Sequence, residues 1–130
     1  MTQVDWPALK AAALAVQARA YVPYSNYRVG AALLTAGGEI IAGCNVENAT
    51  YGATCCAERN AVFAAVGQGH TSFGAVAVVT NGPEPGTPCG ICRQVLAEFG
   101  SDLEVLCFTP EGAEAHYRLS ELLPHAFKLK

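Results

Sequence analysis

Two short blocks of this chain hold most of the side chains able to do chemistry: Thr54-Cys55-Cys56-Ala57-Glu58-Arg59 and Pro88-Cys89-Gly90-Ile91-Cys92-Arg93. Each joins thiols to an arginine, and the first adds a carboxylate. Cys89 and Cys92 stand three residues apart, so on one helical turn both sulfurs can face a single ion. With Cys56 as a third sulfur, the set suits zinc and leaves a fourth position for water, which makes such a site catalytic rather than structural. In mid-helix, residues two apart face away from each other, so Cys56 and Glu58 converge only at the irregular first turn of a helix. There Glu58 is placed to take a proton from water and return it to a substrate. Arg59 and Arg93 adjoin the cysteines in sequence and can draw excess negative charge off the sulfurs by hydrogen bonding. Cys55, the immediate neighbour of Cys56, points elsewhere.

Other uses of these thiols fit less well. A Cys-x-x-Cys pair also occurs as a redox couple, but no thioredoxin-like arrangement accompanies it here. A fourth cysteine, from among Cys44, Cys55 and Cys107, would close the set into a non-enzymatic zinc module. None of the three has the spacing of a second pair, and Glu58 would then be idle. Cys44 and Cys107 read better as buried small apolar residues. His70, His116 and His125 fall at no ligand spacing and belong in loops or on the surface.

The rest of the composition narrows the class. At 130 residues the chain has one domain's length, and a domain of residues 1–130 buries roughly two-thirds of the surface its unfolded form exposes. With 52% apolar and 15% charged residues, neither disorder nor a polar tail is expected. The net charge of −3 argues against a nucleic-acid partner, which would favour a basic face, and towards a small substrate. No basic-then-apolar start resembles a secretory signal, and no apolar run approaches the roughly 20 residues of a membrane span. A cytoplasmic location follows as the expectation. There thiols stay reduced, so the six cysteines point to metal or catalytic use rather than disulfides.

Alternating elements must position the two blocks. Asp5 can cap a helix running to Ala20, with Pro7 in its first turn. Pro23 ends that run and opens a loop carrying Tyr24 and Tyr27. Val29–Leu34 and Glu39–Cys44 read as a β-hairpin, its second strand continuing through Asn48 so that Asn45 and Glu47 share one face. Ala57–Val66 is a helix ended by Gly67 and Gly69, with Ala61, Ala64 and Ala65 small enough to approach a sheet closely. Phe73–Thr80 is a strand, Cys89–Phe99 a helix, Leu103–Phe108 a second buried strand and Tyr117–Leu119 a short third. Ser120 can cap a brief helix before Pro124, and Ala126–Lys130 is a tail. This alternation predicts an α/β layered domain, with helices on both faces of a mixed sheet. Both cysteine blocks then fall at helix N-termini, whose dipoles favour thiolates.

Taken together, Cys56-Ala57-Glu58 and Pro88-Cys89-Gly90-Ile91-Cys92 resemble the signature of the zinc nucleoside and nucleobase deaminases in its three-cysteine form. Pro23-Tyr24-Ser25, Gly43-Cys44-Asn45-Val46-Glu47-Asn48 and Leu122-Leu123-Pro124 are similar to segments of the small, single-zinc cytidine deaminases. The resemblance implies a three-layer α/β/α fold around about five strands, one zinc ion per subunit and a homotetramer. It also implies hydrolytic deamination of cytidine and deoxycytidine, as in pyrimidine salvage. Asn45 and Glu47 then match a ribose-binding pair. Tyr27, with its extra hydroxyl, falls where the family usually places a phenylalanine that packs on the pyrimidine, and Ala57 offers backbone to the base. Phe127 matches an aromatic residue that reaches a neighbouring subunit's substrate.

Overall fold

The computed structural model describes residues 3–100 and 102–129. Five strands form one mixed sheet in the order β2-β1-β3-β4-β5. Its centre is a pair of antiparallel contacts, from β1 (Val29–Thr35) to β2 (Ile40–Cys44) on one side and to β3 (Phe73–Thr80) on the other. β3 pairs in parallel with β4 (Glu104–Phe108), and β5 (Glu114–Arg118) closes the far edge antiparallel to β4. The parallel step requires a crossover, which helix α3 (Gly90–Phe99) supplies.

Strand alternation sorts the apolar side chains to two faces. Ala32, Ala75, Ala77, Val79, Leu106 and Phe108 turn towards α1 (Trp6–Gln17), meeting its buried Leu9 and Ala13. Leu33, Val76, Val78, Val105 and Cys107 turn the other way, towards α2 (Ala57–Gly67) and α3. The result is the expected α/β/α sandwich, with two apolar seams in place of one core. No helix among the described residues is long and apolar enough to cross a membrane.

Two glycines set the layer spacing. A Cβ on Gly30 would stand 2.2 Å from the Ala13 carbonyl oxygen, and one on Gly43 would stand 2.4 Å from the Ala61 amide nitrogen. Each helix therefore lies in backbone contact with its strand. Because α2 begins at the cysteine block, Gly43 also fixes how far Cys56 and Glu58 sit from the sheet. Gly43→Ala is expected to destabilise the fold by about 1–3 kcal/mol through overpacking. Thermal unfolding checks this: the midpoint should fall by several degrees.

Local chemistry explains the boundaries. Asp5 caps α1, its Oδ1 accepting from the Ala8 amide at 3.1 Å, with Pro7 in the first turn. The helix stops at Gln17 rather than Ala20: the Arg19 and Ala20 amides bond only three residues back, to the Val16 and Gln17 carbonyls at 2.9 and 3.2 Å, and Arg28 takes the carbonyls of Ala18 and Ala20 at 3.2 and 2.7 Å. β2 ends at Cys44, four residues short of the expected end at Asn48. Its partner β1 has by then run out at Val29, so Val46 bridges to Tyr21 and Cys55 instead. Ala64 faces solvent, while Ala61 and Ala65 pack inward. The last strand begins earlier than expected, at Glu114, and Leu119 starts α4 (Leu119–Leu122). Arg118, not Ser120, is its cap: the Glu121 carboxylate accepts from the Arg118 amide at 2.7 Å, while the Ser120 hydroxyl turns to Asp102. Lys130, the end of the expected tail, lies outside the described residues.

Candidate active site

The cysteine blocks meet because α2 and α3 start side by side over the same face of the sheet. Cys56 is the residue before the first turn of α2, and Cys89 holds the same position on α3. Cys92 lies one turn further into α3 and is fully buried. The three Sγ atoms lie within 4.8 Å of one another, and those of Cys56 and Cys89 are 3.7 Å apart. Zinc–sulfur bonds of about 2.3 Å at tetrahedral angles place sulfurs about 3.8 Å apart. The triad is thus positioned to coordinate one zinc ion without rebuilding either helix.

Electrostatics agree with that use. Arg59 donates from Nη2 to the Cys56 sulfur at 3.4 Å, and its Nε is buried without a hydrogen-bond partner among the described residues. Hydrogen bonds from Cys92 and then Arg59 hold the Cys56 thiol well below the usual thiol range, while Cys92 is raised by the same pairing and by burial. The Cys92 amide also points at the Cys89 sulfur, at 3.5 Å. A site that already favours thiolate at Cys56 is one that a cation completes. Among the described residues no other group of three metal-ligating side chains forms, and Cys44, Cys55 and Cys107 stand outside this one. Cys107 is buried, which pushes its thiol up to about 12. Cys44 is only half-buried, since β2 is an edge strand.

Glu58 sits in the first turn of α2 and is 4% exposed. Burial pushes its carboxyl up to about 7, with the Cys56 charge adding to the rise. A carboxyl so placed exchanges a proton readily near neutral pH. A cleft of about 190 Å³ opens beside it, lined in part by Tyr27, Asn45, Cys56, Ala57, Glu58 and Cys89. Thr80 and Thr87, which the sequence reading passed over, line it too. Their only sequence signal is position, one ending β3 and the other preceding Pro88. A larger groove of about 440 Å³ between α3 and the tail holds neither thiol nor Glu58.

Asn45 and Glu47 both turn to the loop between α1 and β1. The Asn45 Oδ1 accepts from the Val29 amide at 2.9 Å, and its Nδ2 donates to the Tyr27 carbonyl at 2.8 Å. Its second Nδ2 hydrogen has no partner among the described residues. Glu47 lines a second hollow, of about 330 Å³, with Tyr24, Ser25 and Tyr51. Its carboxyl is held below its usual range, first by the Ser25 hydroxyl and then by the amides of Ser25 and Tyr24.

Like Glu47, Arg93 and Phe127 do not line the cleft. Arg93 was expected at the sulfurs, yet it donates to the Pro88 carbonyl at 2.7 Å, the Leu122 carbonyl at 2.9 Å and the Thr87 hydroxyl at 3.0 Å. It is a long side chain at the back of the metal block, and three oxygens reach it before any sulfur does. Phe127 lies in the groove by α3, 68% exposed. Gln94 holds its backbone by two hydrogen bonds, of 2.9 and 3.2 Å.

Comparison with known proteins places this geometry. Residues 6–108 match the family model described as the cytidine and deoxycytidylate deaminase zinc-binding region. A cytidine deaminase of Halalkalibacterium halodurans is 50% identical over 116 residues, covering 87% of this chain and 88% of that protein. One from Mycobacterium tuberculosis is 45% identical over 129 residues, covering 99% and 94%. The crystal structure of cytidine deaminase from Burkholderia pseudomallei superposes with a TM-score of 0.90 at 47% identity, covering 98% of this chain and 100% of that one. With the metal triad, the buried carboxylate and the sheet order all in hand, the match over most of the length is decisive: the chain belongs to the zinc-binding cytidine and deoxycytidylate deaminase family.

Proposed function

We propose that residues 1–130 form a single domain catalysing hydrolytic deamination of cytidine and deoxycytidine, giving uridine or deoxyuridine and ammonia. The observation that carries this reading is a nine-tenths-buried glutamate at the mouth of the helix whose preceding residue joins the three-sulfur cluster. The curated relatives bearing the name cytidine deaminase support the substrate class.

Cys56, Cys89 and Cys92 would hold a zinc ion, which would supply the polarisation that lets water ionise near neutral pH. Glu58 accepts a proton from the attacking water and delivers it to the pyrimidine nitrogen beside the amino-bearing carbon. The water's oxygen bonds to that carbon. Glu58 then carries the proton of the new hydroxyl to the amino nitrogen, the carbon–nitrogen bond breaks, ammonia leaves and a carbonyl remains. Arg59 keeps electron density on the Cys56 sulfur from building up. Arg93 acts further back, tying the Pro88 and Leu122 backbones together.

Tyr27 and the Ala57 backbone bound the space for the base, and Asn45 with Glu47 reads the sugar: one free amide hydrogen and one free carboxylate acceptor suit a hydroxyl, which both gives and takes a hydrogen bond. Phe127, held outward by Gln94, is the residue through which a neighbouring subunit of a homotetramer reaches this cleft. No nucleic acid is part of this reading, the chain being acidic, and the setting is cytoplasmic pyrimidine salvage.

Ultraviolet assays of cytidine, deoxycytidine and free cytosine test the sugar requirement. Both nucleosides should turn over and cytosine should be poorer by roughly 10²-fold or more, because a sugarless base leaves the polar pair unpaired. Equal rates on cytosine would remove the sugar-binding role.

A further inference from the structure

Ser25 does no chemistry in the mechanism above, yet its hydroxyl joins the two halves of the site. The Tyr27 amide donates to Ser25 Oγ at 3.0 Å. Because that lone pair is taken by a donor, the hydroxyl's own hydrogen is free to point to Glu47, and Oγ donates to Glu47 Oε2. The other oxygen, Oε1, accepts from the amides of Tyr24 and Ser25 at 3.0 and 3.1 Å. A carboxylate has about four acceptor positions. Three are therefore filled by one turn of the loop, and the remaining one has a fixed direction. Asn26, in the left-handed region at φ 59°, bends the chain so that Ser25 can meet both neighbours. The amide–hydroxyl–carboxylate run polarises along its length, each bond strengthening the next.

We infer that Ser25 is a positioning residue for nucleoside binding: its hydroxyl, oriented by the Tyr27 amide, locks the Glu47 carboxylate in the rotation that meets the sugar. This rests on the deaminase reading given above. Without the hydroxyl, Oε2 is released and the carboxylate turns about its two remaining amide bonds, while the cysteines and Glu58 are untouched. The loss falls on binding and not on proton transfer.

The test measures KM and kcat for cytidine with zinc-loaded full-length protein, in wild type, Ser25→Ala, Ser25→Thr, Glu47→Ala and the Ser25→Ala/Glu47→Ala double variant. Ser25→Ala should raise KM roughly tenfold, the worth of one hydrogen bond to a charged group, with kcat within about twofold. Ser25→Thr keeps the hydroxyl and should recover most of the affinity. In the Glu47→Ala background, removing Ser25 should change KM by less than about twofold, since residues acting through one group are not additive. An unchanged KM in Ser25→Ala, or the same tenfold rise with Glu47 already absent, overturns the assignment while leaving the deaminase reading intact. A wild-type protein inactive on cytidine overturns both.

Discussion

Glu58→Gln is expected to abolish nearly all turnover while the protein keeps its zinc. Glutamine has the shape of the carboxyl group and fits the same buried first turn of α2. It cannot take up and release a proton. Proton transfer by a positioned carboxylate is worth roughly 10²–10⁴-fold in rate, so kcat should fall by at least that factor, with KM much less affected. Because Glu58 is not among the three sulfur ligands, metal content by atomic absorption should match the wild type. A variant that held zinc and deaminated cytidine normally would show that another group moves the proton.

Cys89→Ala should lose both metal and activity. Two thiolates hold zinc far more weakly than three, and structural and catalytic sites alike keep at least three protein ligands. Cys89 is exposed and caps α3 through its sulfur, so its removal costs the fold little, roughly the 1 kcal/mol of a lost cap. Circular dichroism should therefore remain native while zinc falls from one ion per chain to nearly none. Cys92 makes a poorer test because it is fully buried, and its loss confuses metal binding with packing. Cys55→Ala is the matching control. Cys55 adjoins Cys56 but stands outside the cluster, and that variant should keep its ion.

How much of this could be read from the sequence depends on whether a feature is set by local chemistry or by distant partners. The metal triad and Glu58 were legible because short spacings and helix N-termini fix them, and the strand Phe73–Thr80 matches its apolar run from end to end. The three layers followed from alternating patterns. Arg93 was not legible: nothing in Pro88-Cys89-Gly90-Ile91-Cys92-Arg93 reveals that the Leu122 carbonyl, 29 residues away, waits within reach. The end of β2 was equally hidden, since Asn45-Val46-Glu47 is extended but changes partners where β1 runs out. Asn45 and Glu47 both turn to the loop between α1 and β1, but they line different hollows, which alternation along a strand does not reveal. Ser25 was visible only as part of Pro23-Tyr24-Ser25; its bond to Glu47 was hidden, because a loop serine gives no sign of its neighbours in space.

The most direct test follows the ultraviolet change of cytidine and the release of ammonia by purified protein whose zinc content is measured in the same sample. Turnover should rise in proportion to zinc up to one ion per chain, vanish on removal with a chelator and return when zinc is restored. Full turnover by metal-free protein, or none by protein carrying its zinc, would contradict a zinc-dependent deaminase built on Cys56, Cys89, Cys92 and Glu58.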